Sequence, residues 1–257
     1  MAAPQYVRSG TGVVITTGSA AVSITATIGN FLILHLFNDG NGGQNGVTPL
    51  TNCCALDGRT TDLDRPMTFC DVNGVAAHYI LLGRATGTAV SCTLAVNVAG
   101  NDCYARWHEF SGVARGRANE ECIENGGATP PALFLSSTGL STGITDAAVT
   151  TNGPDRLALN FIAVDDDNQA DFDTEAFTGM TGGTWVNRGS YGSATGTDGS
   201  IGLQSCEMLN AGTIDGGSLT MALADNWGTA GFALKPPASV PASMDRYTPK
   251  RRMIQRR

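Results

Sequence analysis

The chain has 257 residues, 42% of them hydrophobic and only 15% charged, with a formal net charge of −7. That apolar content excludes a disordered chain. The 33 glycines, with few Lys and Glu, argue against a helical one.

The opening MAAPQYVRSG lacks the apolar stretch of a secretory leader, and the densest apolar run, residues 31–37, is far too short to span a bilayer. The expectation is synthesis in a cytoplasm, without membrane insertion. Val22, Ile24 and Ile28 point one way while Ser23 and Thr25 point the other, which predicts a half-buried strand. Residues 31–37 (FLILHLF) are apolar on both faces, as in a central strand covered on both sides. Residues 76–84, 89–96, 103–110, 156–164, 200–208, 218–223 and 228–234 read as further strands. Clusters of Gly, Asn and Asp separate them, at 38–46, 125–131, 152–155, 182–183 and 215–217. No stretch has a 3.6-residue period. The predicted fold class is all-β: an antiparallel jelly-roll-like β-sandwich.

A weak internal echo runs at an offset of about 126 residues. Gly29-Asn30-Phe31-Leu32 and Gly153-Pro154-Asp155-Arg156-Leu157 each enter an apolar strand that ends in an acidic, Asn-containing loop. This predicts one body over residues 1–236, with two similar halves at about 12–113 and 140–236. Lys235-Pro236-Pro237 then begins an extended linker, so residues 237–257 form a C-terminal arm. From Asp245 onward the arm holds six basic residues against one acid, leaving −12 on the preceding body. Arg246, Lys250, Arg251, Arg252, Arg256 and Arg257 are therefore the candidate docking residues, for an acidic face of a neighbouring copy. Nucleic acid contact is expected only through this arm, because the body is acidic.

The seven cysteines include no CxxC pair, so no zinc site is expected. They read as reduced, small apolar residues; Cys53 and Cys54, in a polar loop, are the ones open to disulfide formation. The cofactor expectation is none. The one metal candidate is Ca²⁺ on Asp165, Asp166, Asp167, Asp171 and Asp173, but the spacing is not that of an EF-hand, and a solvated acidic loop is the plainer reading. Asp57, Asp62 and Asp64 receive the same reading. Trp185, after two glycines and near Tyr191, is the candidate exposed ring for contact with a glycan, whereas Trp107 is expected in the core.

Catalytic residues are not expected. There is no G-x-S-x-G and no H-E-x-x-H. His35 and His78 lie in apolar strands. His108 and Glu109 are neighbours on one strand, so their side chains point to opposite faces.

Several segments recur together in a known group. They are Val14-Ile15-Thr16 with Val22-Ser23-Ile24, then Gly29-Asn30-Phe31-Leu32, then Trp107-His108-Glu109-Phe110-Ser111-Gly112-Val113. Residues 157–164, Gly183-Thr184-Trp185 and Trp227 with Phe232-Ala233-Leu234-Lys235-Pro236 complete the pattern. In this order the chain resembles virion or minor tail proteins of tailed bacteriophages. The basic arm is a departure from that pattern. The resemblance implies a structural, non-enzymatic accessory component of the virion, made in the bacterial host cytoplasm and placed at a tail tip, fibre or minor tail position. Its implied partners are other virion proteins, copies of itself and a host-surface glycan. Two further readings stand beside it: a capsid-decorating or head-spike protein anchored by the arm, and a carbohydrate-binding module or glycan hydrolase.

Overall fold

The computed structural model describes residues 2–39, 46–47, 50–55, 69–72, 76–96, 102–116, 119–126, 135–165, 178–193 and 199–238. The first run of strands is β1 (Gln5–Ser9), β2 (Val13–Ile15), β3 (Gly18–Thr25), β4 (Phe31–Asp39), β5 (Gly46–Val47), β6 (Cys53–Ala55), β7 (Phe69–Val72), β8 (Ala76–Ala85), β9 (Ala89–Val96) and β10 (Cys103–Ser111). One helical turn, α1 (Asn119–Cys122), follows. The second run is β11 (Ile123–Glu124), β12 (Leu135–Thr145), β13 (Val149–Thr151), β14 (Arg156–Val164), β15 (Trp185–Ser193), β16 (Gly199–Met208), β17 (Gly212–Ile214) and β18 (Ser218–Leu234). Among the described residues the fold is all-β and every ladder is antiparallel.

A seven-stranded sheet has the order β1-β10-β4-β8-β6, with β2 also on β10 and β7 also on β8. A six-stranded sheet has the order β11-β18-β14-β16-β15, with β12 also on β18. Each described ladder joins strands of the same run. Both sheets set the first strand of their run beside the last, and the last beside a central apolar strand. The runs reach beyond the expected halves: β1 precedes residue 12, and β11 and the start of β12 precede residue 140.

The two large sheets share one core. Phe31, Ile33, Ile80, Leu82 and Phe110 of the first pack with Leu157, Leu159, Phe161, Leu203 and Phe232 of the second. On the reverse face of β4, Leu32, Leu34 and Leu36 meet Val22, Ile24, Val90, Cys92 and Leu94 of the small β3-β9-β5 sheet. The reverse face of the second sheet is covered in turn. Ile162 and Val164 lie with Ile144, Leu219, Met221 and Trp227, and Ala158 and Cys206 lie with Val149 and Ile214. Both large sheets are thus buried on both faces, which is why their strands read as continuous apolar runs. Each large side chain sealed in these layers contributes roughly 1.5–3 kcal/mol.

Two sequence expectations are corrected. Ile28 is 63% exposed, because β3 stops at Thr25 and Ala26 takes the buried place. The two strands expected at 218–223 and 228–234 are one, β18, which curls from the outer layer into the sheet. Its early residues pair with Gly143–Thr145 and its late ones with β14. The polar strands β1, β12 and β15, which the sequence reading did not mark, carry no period-two apolar signal and lie at sheet margins.

The ends of β4 and β10 close on each other through Glu109, which is fully buried. Its Oε1 accepts hydrogen bonds from the Thr27 backbone N–H at 2.8 Å and from Asn30 Nδ2 at 2.7 Å, and Arg8 Nε lies 2.8 Å from Oε2. Phe110 and Val113 enter the shared core. Gly112 between them has φ +68, and a β-carbon there would meet the Ala3 carbonyl oxygen at 2.5 Å.

Candidate functional site

All three histidines of the chain sit on the seven-stranded sheet, facing the shared core. His35 on β4 and His78 on β8 meet Nε2 to Nε2 at 2.6 Å, so one ring donates and the other accepts. His35 and His108 have ring centroids 6.1 Å apart, and both lie edge-on to Phe161 of the opposite sheet. Outside the triad a short relay leads away, from His108 Nδ1 to Ser9 Oγ at 2.8 Å and from Ser9 Oγ to the Tyr6 hydroxyl at 2.7 Å. Burial pulls His78 and His108 down to about 3, with the Arg106 charge adding to the effect at His108. His35 is pulled well below its ordinary value by burial, then by His78, His108 and Arg106. Each ring is 1% exposed and neutral at physiological pH, so none meets a solute. Glu109 points away from His108, toward Thr27 and Asn30, so the adjacent pair forms no dyad.

The expected exposure of the Trp185 ring is corrected. Trp185 is only 8% exposed, and its Nε1 donates to the Asp215 carbonyl at 3.0 Å. The half-buried Tyr191 ring lies over Gly12, in a small cluster with Phe37, Tyr104 and Ile201. Trp107 is fully buried as expected and donates to the Val22 carbonyl. Trp227, 6% exposed, donates to Ser141 Oγ. Of the acidic stretch, Asp165 is described: its backbone N–H donates to the Asn226 carbonyl and its Oδ2 accepts from Asn226 Nδ2. Asp166, Asp167, Asp171 and Asp173 lie outside the described residues. So do Asp57, Asp62 and Asp64, and the docking candidates Arg246, Lys250, Arg251, Arg252, Arg256 and Arg257. Among the described cysteines, Cys92, Cys103, Cys122 and Cys206 are buried, Cys53 is half-buried and Cys54 exposed, all as free thiols. Burial pushes the Cys53 and Cys92 thiols up to about 12.

Among the described residues one open groove, of about 660 Å³, is formed by β15, β16 and β17 with their connections. Val186, Arg188, Glu207, Leu209, Asn210 and Thr213 line it. Leu209 is 74% exposed and Val186 41%, an apolar pair bordered by one cation and one carboxylate. Arg188 is held in place: Nε donates to Ser205 Oγ at 2.7 Å, and the guanidinium lies 4.7 Å from the Tyr6 ring centroid. The groove can take up an apolar anchor inside a polar rim, the usual pattern of a protein-docking surface. The sequence reading missed it. Its one local signal is Leu209, an apolar residue directly after the buried Met208, where period two calls for a polar one.

No protein-family model matches the chain, and no curated protein matches it.

Proposed function

We propose that the chain is a structural, non-catalytic subunit of a tailed-bacteriophage virion, acting by packing and binding in multiple copies. In this reading residues 1–236 form a jelly-roll-like β-sandwich, and residues 237–257 are an arm that docks on the acidic body of a neighbour. The tail is the first placement and a head-decorating position the second. The observation that carries the reading is the distribution of polar chemistry. The histidines are sealed between two sheets, while the open groove presents Leu209 and Val186 for contact. A surface of that kind suits association rather than turnover. The phage assignment rests on the resemblance, whose two main segments, around Asn30 and Glu109, are joined by a 2.7 Å hydrogen bond.

Light scattering on three proteins tests it. They are the full chain, a chain ending at Pro236, which keeps every described strand, and full-length Leu209→Asp. The expected result is an oligomer for the full chain, with monomers on removal of the arm, the groove residue, or both. A monomeric full chain at high concentration would overturn self-assembly.

A further inference from the structure

We infer that the outer face of the six-stranded sheet holds a binding site for a hard divalent cation of the calcium class, formed by Asp146, Asn160 and Gln204. Asn160 interrupts the apolar strand β14 and is fully buried, yet neither its Oδ1 nor its Nδ2 has a hydrogen-bond partner. It is in register with Gln204 of β16 on one side and Gly231 of β18 on the other. Directly paired residues present their side chains on the same face, so Gln204 stands beside it. Gln204 is 5% exposed, and its Oε1 is also without a partner.

Asp146 arrives from the end of β12. It is 3% exposed, and both carboxylate oxygens lack hydrogen-bond partners, although its backbone N–H donates to the Gly217 carbonyl at 3.0 Å. Glycines bring these groups together. A β-carbon on Gly216 would run into both Asp146 Oδ2 and Asn160 Nδ2. One on Gly231 would lie 2.7 Å from Asn160 Oδ1 and 2.9 Å from the Ala147 carbonyl oxygen. The turn bearing Gly216 also carries Asp215, whose Oδ1 accepts from the Gly217 N–H and whose carbonyl is held by Trp185.

A buried polar atom without a partner costs free energy, and here four side-chain oxygens on three neighbouring residues share that condition. A proton on Asp146 would satisfy one of them. A cation that takes carboxylate and amide oxygens satisfies all four once the Asn160 amide is turned so that Oδ1 rather than Nδ2 faces Asp146, and that mixture is the ligand chemistry of calcium. Among the described residues no three His, Cys, Asp or Glu side chains gather as a metal site; here one buried carboxylate stands with two buried amides. Burial, then the Asp215 charge, push the Asp146 carboxyl up to about 8, and Asn160 offsets part of that without reaching hydrogen-bond geometry. The acidic stretch beginning at Asp165 is a separate feature of the sequence.

Thermal unfolding of the full-length protein decides the matter, in EGTA and across a CaCl₂ titration, with MgCl₂ in parallel. Wild type is expected to show a saturable rise in Tm with Ca²⁺, and Asp146→Asn to fold but lose that rise. Gln204→Met, which keeps the volume and removes one oxygen, is expected to weaken the apparent affinity by about tenfold, in line with the loss of one supporting interaction at a metal site. It decides the case if Asp146→Asn does not fold. Two results overturn the inference. In one, Tm in wild type responds to neither cation, and Asp146→Asn is simply more stable, as for a buried neutral acid. In the other, the Ca²⁺ response survives in Asp146→Asn and disappears when Asp166 and Asp167 are changed to Asn.

Discussion

At the scale of single residues, partners rather than residue types decide the outcome. Glu109 would be an ordinary surface carboxylate on most strands, but here it is fully buried and holds the Thr27 N–H and Asn30. Glu109→Ala would strand both donors, so a loss of about 2–4 kcal/mol is expected in urea unfolding. Arg8→Ala is expected to cost less, since that side chain is 48% exposed and its ion pair is screened. Equal losses in the two variants would show that the ion pair, not the two buried bonds, holds this corner. The sequence marked the segment as notable but not its cause. Strand alternation told that His108 and Glu109 diverge; it could not tell that Asn30, 79 positions away, completes the contact. Trp185 is the opposite case. Its flanking glycines suggested exposure, and the Asp215 carbonyl, 30 residues along the chain, buries it instead.

At the scale of elements, apolar strands were legible and polar ones were not. Strands β4, β8, β10, β14 and β16 lie within a residue or two of the expected ranges, because a strand covered on both faces must be apolar throughout, and β9 matches through its alternation, with Val90, Cys92 and Leu94 buried. Strands β12 (LSSTGLSTGIT) and β15 (WVNRGSYGS) pair at sheet margins through backbone ladders, which leave no trace in side-chain pattern. Turn chemistry was also partly legible. Gly112, at the end of β10, has a backbone conformation with φ +68 that a side chain disfavours, and the Ala3 carbonyl closes the space around it. Gly112→Ala is expected to lower stability by about 1–3 kcal/mol at unchanged denaturant slope, read from the urea midpoint. No change in the midpoint would mean that the residues before β1 are not packed against this turn.

At the scale of the whole molecule, the buried ionisable groups set a pH profile. In the fold the histidines stay neutral down to about 3 at His78 and His108, whereas the unfolded chain takes up their protons below about 6.5. Their contribution is complete above pH 6.5 and is lost as pH falls, at about 1.4 kcal/mol per pH unit for each of His78 and His108, with His35 shifted in the same direction. Asp146 has the opposite sign. Its folded value of about 8 lies above the unfolded 3.8, so it costs stability as pH rises between them, by about 1.4 kcal/mol per unit. Three groups outweigh one below pH 6.5, and one acts alone above it. Urea unfolding in EGTA is therefore expected to show maximal stability near pH 6.5, a steep fall toward pH 5 and a gentle decline toward pH 8. A flat profile from pH 5 to 7 would contradict the sealed, neutral triad. By itself the sequence determined the all-β class, the central strands and the core position of Trp107, because those follow from local alternation and from which residues avoid water. Only the tertiary structure decided that the three histidines meet, that Asn160 lies with Asp146 and Gln204, and that Leu209 stands in an open groove. Such groupings depend on strand order and sheet stacking, which bring together residues far apart in the chain and leave no local pattern to read.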